Sequence, residues 1–455
     1  MRNTKIQTID PLRFFLLLLL AVMPSAWYAF GEGPTRAPQS PPSPLEGLHL
    51  RIDRSAEAIL PKVVQWRRDL HEHPELGNQE TRTAGVIARH LQQLGLQVRT
   101  GIAKTGVIGV LSGSRPGKVV ALRADMDALP VTEETGLPFA SRARAQYNGR
   151  EVGVMHACGH DYHMSMLMGA AEVLSGMKTD LAGTVVFLFQ PAEEGAPEGE
   201  TGGAERMVAE GALDNPKVDA VFGLHVFPYA LRSIEVRPGG IMAASDTVQI
   251  TVRGRGTHGA MPAQGIDPIV VAAQIILGLQ TIISRQVDLP TAPAVVTIGT
   301  IEGGNRSNII SDTVRMTGTI RTFDPEMRKQ VLERVRRTAE KIAEAAGATA
   351  AVAYGEGYPV TYNDPSLTER MIPSLRRVAA PRFNGNTRML TTAEDFSFYQ
   401  QKIPGVYFFL GVAPEGANLS LVPFNHSSRF SPDEGAISTG VRALASLAVD
   451  FLTGR

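Results

Sequence analysis

Five apolar runs limit what this chain can become more than any other feature: 106–111, 119–123, 184–189, 220–226 and 406–411. They read as continuous hydrophobic stretches, not as alternating ones, and helical patterns separate most of them. Strands of that kind are buried on both faces, as in a mostly parallel sheet covered by helices. The main domain is therefore expected to be α/β, with a helical stretch over 50–70 ahead of the first strand.

A different rhythm occupies residues 241–358. Strand 247–253, helix 268–284, strands 294–301 and 313–321, helix 325–346 and strand 349–354 give the order β-α-β-β-α-β, which is ferredoxin-like. In the second helix Met327, Val331, Val335, Ile342 and Ala346 recur near a 3.6-residue period while Arg and Lys fill the other face, so it needs a sheet to cover. Run 406–411 returns to the style of the first domain. The small domain is thus read as inserted, splitting the large one into 49–240 and 359–455.

The N-terminus differs from all of this. Arg2, Lys5 and Arg13 precede an apolar run from Phe14 to Met23, and Ala29-Phe30-Gly31 or Ala26 offers a small-residue cleavage point. Residues 1–31 read as an export signal, because ten apolar residues span a bilayer poorly; an uncleaved anchor is the alternative. The expected location is periplasmic or secreted, without stable membrane insertion once the signal is removed. Residues 32–48 hold five prolines between Pro34 and Pro44 and read as a stiff tether.

The 45 basic residues equal the 45 acidic ones, so no nucleic-acid partner is expected. Cys158 is the only cysteine, which excludes an intrachain disulfide and directs attention to its surroundings.

Those surroundings are MHACGHDYH, residues 155–163, with His156, Cys158, His160, Asp161 and His163 on an expected loop before a helix over 164–174. A thiolate two residues from an imidazole suits a borderline-soft cation such as zinc; the plainer reading is a structural cysteine beside surface histidines. Next, QPAEEG places Glu193 and Glu194 at the carboxyl end of run 184–189, where ligand sites gather in open α/β sheets. One carboxylate of such a pair can bind metal while its neighbour handles a proton. His225 in GLHV and His426 in FNHSSRF are placed in the same way. With Cys158, His160 and Glu194 they give five donors, more than one tetrahedral zinc requires, so two divalent cations, zinc or manganese, are implied. In RADMDALP either Asp125 or Asp127 could bind metal or orient a ligand; Asp127 ranks higher and is counted with the catalytic residues.

Together with RGRGTHGAMP, GGNRSNIISD, GTIRTF and TAEDFSFY, these segments resemble, in order and over nearly the whole mature chain, the metal-dependent amidohydrolases that include hippurate hydrolase, N-acyl-amino-acid aminoacylases and the plant indoleacetyl-amino-acid hydrolases. The resemblance implies a zinc-exopeptidase-like catalytic domain carrying a ferredoxin-like lid that dimerises the protein. It also implies Cys158, His160, Glu194, His225 and His426 as metal ligands and Glu193 as general base. His258 would reach a neighbouring active site and help hold the reacting carbonyl, and His163, Asn308 and Arg321 are the substrate-binding candidates. Tyr162-His163 and Asn305-Arg306 depart from the family pattern, which bears on pocket shape and not on the ligands. The expected activity is hydrolysis of N-acyl amino acids. A dipeptidase or carboxypeptidase using the same site is the alternative, and a metal-binding scaffold without catalysis is the third reading.

Overall fold

Four long strands at the centre of one sheet run parallel: Ala182–Gln190, Arg115–Asp125, Ala220–Ala230 and Gly405–Ala413, in that spatial order. The computed structural model describes residues 43–355 and 357–454; the expected export signal and most of the expected tether lie outside the described residues. Gln97–Ile102 and Gly106–Ser112 extend the sheet antiparallel on one side, while Ile234–Glu235 and Phe383–Asn384 finish the other, giving eight strands. All five apolar runs are in it.

Helices cover both faces, which is why the central strands lack alternation. On one face Pro44–Glu72, His160–Ser175, Pro365–Ala379 and Ile437–Leu452 enclose the main core with Phe187, Phe189, Phe222 and Phe408. Each of these phenylalanines is fully buried, worth about 1.5–3 kcal/mol relative to an exposed side chain. On the other face Phe396, Tyr399, Tyr407 and Phe409 pack with Met207 under the short helices Gly203–Ala209 and Ser397–Gln400.

Two sequence expectations shift here. The tether was expected to reach residue 48, but the first helix starts at Pro44, because Leu45 and Leu48 already pack on the core. The helix expected from Met164 begins at His160, so His160, Asp161 and His163 belong to its first turn instead of a loop. Gly159 ahead of it adopts a φ of +91°, a conformation only glycine takes without strain.

The ferredoxin-like order forms a separate four-stranded antiparallel sheet, with strands Ala294–Gly303, Thr313–Thr322, Ala244–Arg253 and Thr349–Gly355 side by side. Helices Pro268–Arg285 and Pro325–Ala345 lie on one face of it over a core of their own. Both helices start in the same way: Asp267 and Asp324 accept a hydrogen bond from a backbone N–H of the first turn, and a proline follows where no donor is needed. In the second helix the buried stripe is Met327, Val331, Val335, Ala339 and Ala343. The expected Ile342 is only partly buried, and Ala346 is exposed beyond the helix end.

Candidate metal centre

The five expected ligands come from four separate segments of the catalytic domain. Cys158 precedes the helix that His160 opens; Glu194 follows Ala182–Gln190; His225 lies within Ala220–Ala230; His426 follows Gly405–Ala413. The fold brings these segments together. Cys158 Sγ lies 3.3 Å from His225 Nε2 and 3.2 Å from His426 Nε2, and His426 Nε2 lies 2.9 Å from Glu194 Oε1. Donor atoms of Cys158, His160 and His225 fall within 4.8 Å of one another, as do those of Cys158, Glu194 and His426. Two triads sharing one sulfur result.

The donor set fits divalent cations on three grounds. A tetrahedral zinc with bonds of about 2.3 Å to sulfur and 2.05 Å to nitrogen separates those atoms by about 3.6 Å, close to the spacings here. The imidazoles are also oriented for it: His160 Nδ1 bonds the Asp127 carbonyl at 2.8 Å and His225 Nδ1 the Val226 carbonyl at 2.9 Å, which leaves both Nε2 lone pairs facing the cluster. His160 Nε2 is buried without a hydrogen-bond partner. Lastly, burial and the carboxylates of Glu194 and Glu193 push the Cys158 thiol well above its ordinary range, so this sulfur ionises only beside a cation. Burial opposes charge on His160, yet Asp125 and Asp127 outweigh it and raise that imidazole to about 10, another mark of a site short of positive charge.

Glu193 is buried beside the cluster, its Oε2 3.9 Å from His160 Nε2. Burial, then Glu394 and Glu194, hold its carboxyl well above the usual range. The turn bearing it is fixed residue by residue. Ala192 N donates to Glu80 at 2.9 Å, the Tyr358 hydroxyl donates to the Glu193 carbonyl, and Glu194 N donates to Asp127 Oδ2 at 3.0 Å. Asp127 therefore orients both His160 and Glu194. Asp125 has another task, since its oxygens take His163 Nδ1 and Arg123, each at 2.6 Å.

A cavity of about 380 Å³ opens on the cluster. Glu193 and the expected ligands Cys158, Glu194, His225 and His426 form its floor; Phe227, Met242 and Phe424 give an apolar wall, and the smaller sheet contributes Ser245 and Arg321. Among the described residues, Arg321 is the only Lys or Arg lining it.

His163, expected to bind substrate, does not reach this cavity. It is buried one helical turn beneath His160, and both nitrogens are engaged, Nδ1 by Asp125 and Nε2 by the Val226 N–H at 2.9 Å. His258 ends the short strand Thr257–His258, and Asn308 immediately precedes its partner strand Ile309–Ile310; both are exposed, and neither lines this chain's cavity. Sequence reasoning missed Glu80, Tyr358 and the buried Arg123, whose guanidinium gathers Asp125, Gln190, Glu394 and Asp395 beneath Glu193. An arginine inside an apolar run was the available signal for the last of these.

Comparison with known proteins places this geometry. The sequence profile of Peptidase family M20/M25/M40 matches residues 121–450. Thermostable carboxypeptidase 1 of Saccharolobus solfataricus is 42% identical over 392 residues, 86% of this chain and 95% of that protein. The N-acyl-L-amino acid amidohydrolase of Geobacillus stearothermophilus is 42% identical over 331 residues, 72% of this chain and 85% of that one. Among solved structures, the Bacillus subtilis YXEP protein, described as a dinuclear metal binding peptidase from the M20 family, aligns with a TM-score of 0.73 at 36% identity, covering 88% of this chain and all of that one.

Proposed function

The chain belongs to Peptidase family M20/M25/M40, and from that premise we propose that it is a metal-dependent amidohydrolase cleaving the amide bond of N-acyl amino acids. The observation that carries the reading is the ligand cluster with Glu193 beside it and Arg321 on the opposing lid wall of one cavity. Arg321 suits the carboxylate that every N-acyl amino acid presents. The apolar wall of Phe227, Met242 and Phe424 accepts an acyl group without demanding an amine.

Two divalent cations, when bound, acidify a water and polarise the scissile carbonyl. Cys158, His160, Glu194, His225 and His426 would hold them; the thiolate and imidazoles favour zinc by softness, and manganese is the other candidate. Glu193 does the proton work. Its carboxylate takes a proton from the attacking water and delivers it to the departing nitrogen. Tyr358 and Glu80 hold the backbone on either side of that carboxylate, and Asp127 keeps His160 and Glu194 in register. Arg321 anchors the substrate, so the acyl carbon meets Glu193 in one orientation.

The lid is read as a dimerisation domain. Helix Pro268–Arg285 leaves Leu277 71% exposed, along with Ile269 and Val270, and the neighbouring edge strand leaves Val295 and Ile301 exposed. That helix is long and apolar enough to cross a membrane, but its buried side packs on the lid sheet and its free side suits a second copy of this chain. In such a homodimer His258 and Asn308 would be delivered to the partner's cavity. The basic, apolar N-terminus supports export to the periplasm or beyond.

Hydrolysis of an N-acetyl or N-benzoyl amino acid measured beside a free dipeptide tests the reading. Turnover of the blocked substrate, abolished by chelation and restored by zinc or manganese, is expected. Turnover of the dipeptide alone would favour the peptidase alternative, consistent with the name of the Saccharolobus relative.

A further inference from the structure

Three of the five proposed ligands, Cys158, His225 and His426, come from separate elements, and one residue links all three segments: its side chain bonds Cys158 and the neighbour of His225, and it adjoins His426 in the chain. Asn425 Nδ2 donates to the Cys158 carbonyl at 3.0 Å and to the Val226 carbonyl at 3.1 Å, with Cys158 Sγ 4.0 Å away. The Val226 carbonyl is the one that His225 Nδ1 bonds. Asn425 also immediately precedes His426, whose backbone takes a φ of +71°, rare for a residue with a side chain, while its N–H donates to the Ala157 carbonyl at 2.8 Å. Two adjacent residues thus stitch the His426 loop to the cysteine loop, and one amide continues the stitch to the strand carrying His225.

We infer that Asn425 is a positioning residue for the metal centre: its amide locks the Cys158 and His225 donors, and through the chain His426, onto one cation position. This rests on the reading of those three residues as ligands. The amide orientation is fixed by chemistry, because only the NH₂ end can face two carbonyl oxygens. Its Oδ1 is buried without a partner. The same two donors compensate the two carbonyls and keep the Val226 oxygen aimed at His225 Nδ1, which holds the imidazole in the tautomer whose Nε2 lone pair faces the sulfur.

The test uses the full-length protein, stripped with a chelator and titrated with Co(II), whose thiolate ligation gives an intense charge-transfer band. Asn425→Leu keeps the volume and removes both donors; Asn425→Asp keeps the shape and sets a carboxylate against two carbonyl oxygens. Partners of this kind typically change metal affinity by about 10- to 100-fold, so both variants should bind Co(II) at least about 10-fold more weakly and show a shifted or diminished band. KM for the acyl amino acid should move less than kcat. If Asn425→Leu does not fold, Asn425→Ser, which adds no bulk, is read by the same band. Unchanged Co(II) affinity and an unchanged band in a folded variant would overturn the inference. No thiolate band in the unaltered protein would instead remove the ligand reading beneath it.

Discussion

Gly159 stands between the proposed ligands Cys158 and His160, and Gly159→Ala should damage the proposed metal centre from outside the ligand set. An added Cβ would lie 2.4 Å from Val226 Cγ2 and 3.4 Å from Phe430 Cε1. Ordinary carbon contacts need about 3.5–4.0 Å, so the loop or Val226 must move by about 1 Å or more. The φ of +91° adds about 1–2 kcal/mol for any residue bearing a Cβ, and overpacking adds about 1–3 kcal/mol, for a total of about 2–5 kcal/mol. Because Val226 follows His225 and its carbonyl orients that imidazole, either movement separates Cys158 Sγ from His225 Nε2, now 3.3 Å apart. Misplacement of about 1 Å costs about 10²-fold in rate. Metal content after desalting and turnover of an N-acyl amino acid should both fall in Gly159→Ala. Adding Val226→Ala, which removes the clashing methyl, should recover part of the loss while the backbone cost remains. Two tightly held metals and full turnover in Gly159→Ala would refute the reasoning, and no gain in the double variant would show that Val226 is not the obstacle.

Three other outcomes are expected. Cys158 in the metal-loaded protein should resist alkylation at every pH, and after chelation it should react only as the pH rises above the ordinary thiol range, since burial and Glu194 disfavour the thiolate; alkylation that leaves the metals in place would contradict this. Glu80 is raised to about 7 by burial and then by Asp127, so its protonated form is favoured by folding. In chelated protein that contribution is fully present below about 4.5 and disappears as the pH rises through 7, a change of about 3 kcal/mol. Glu80→Gln, whose amide can donate to Thr105, should remove that slope in urea unfolding followed from pH 4.5 to 8, and an equal slope in both proteins would count against it. Finally, hybrid dimers refolded from His258→Ala and Glu193→Gln chains should regain part of the activity that each homodimer lacks, and verified hybrids without recovery would leave His258 no role across the interface.

What the sequence disclosed depended on how far apart the interacting residues lie. The central strands were legible because burial on two faces removes alternation, and the smaller domain because its strands and helices alternate in a distinct order and its second helix carries apolar residues near a 3.6-residue period. The candidate cluster was legible from Cys158 and His160 two residues apart and from Glu193-Glu194 at the carboxyl side of a buried run, and their donor atoms do lie close together. Residues acting through long-range hydrogen bonds were not legible. Glu80 reaches Ala192, Tyr358 reaches the Glu193 carbonyl, and Asn425 reaches Cys158 and Val226, none of which has a local pattern. His163 misled for the opposite reason. It shares the motif of Cys158 and His160, yet the helix begins at His160 and turns His163 under the sheet toward Asp125.

The division of labour between Glu193 and Glu194 is the central chemical claim, and metal content measured together with turnover in Glu193→Gln tests it most directly. The account predicts two metals per chain, as in the unaltered protein, with hydrolysis reduced by about 10²- to 10⁴-fold because only the proton carrier is gone, whereas Glu194→Gln loses metal as well. Glu193→Gln that hydrolyses N-acyl amino acids at the original rate, or that loses metal as readily as Glu194→Gln, would contradict it.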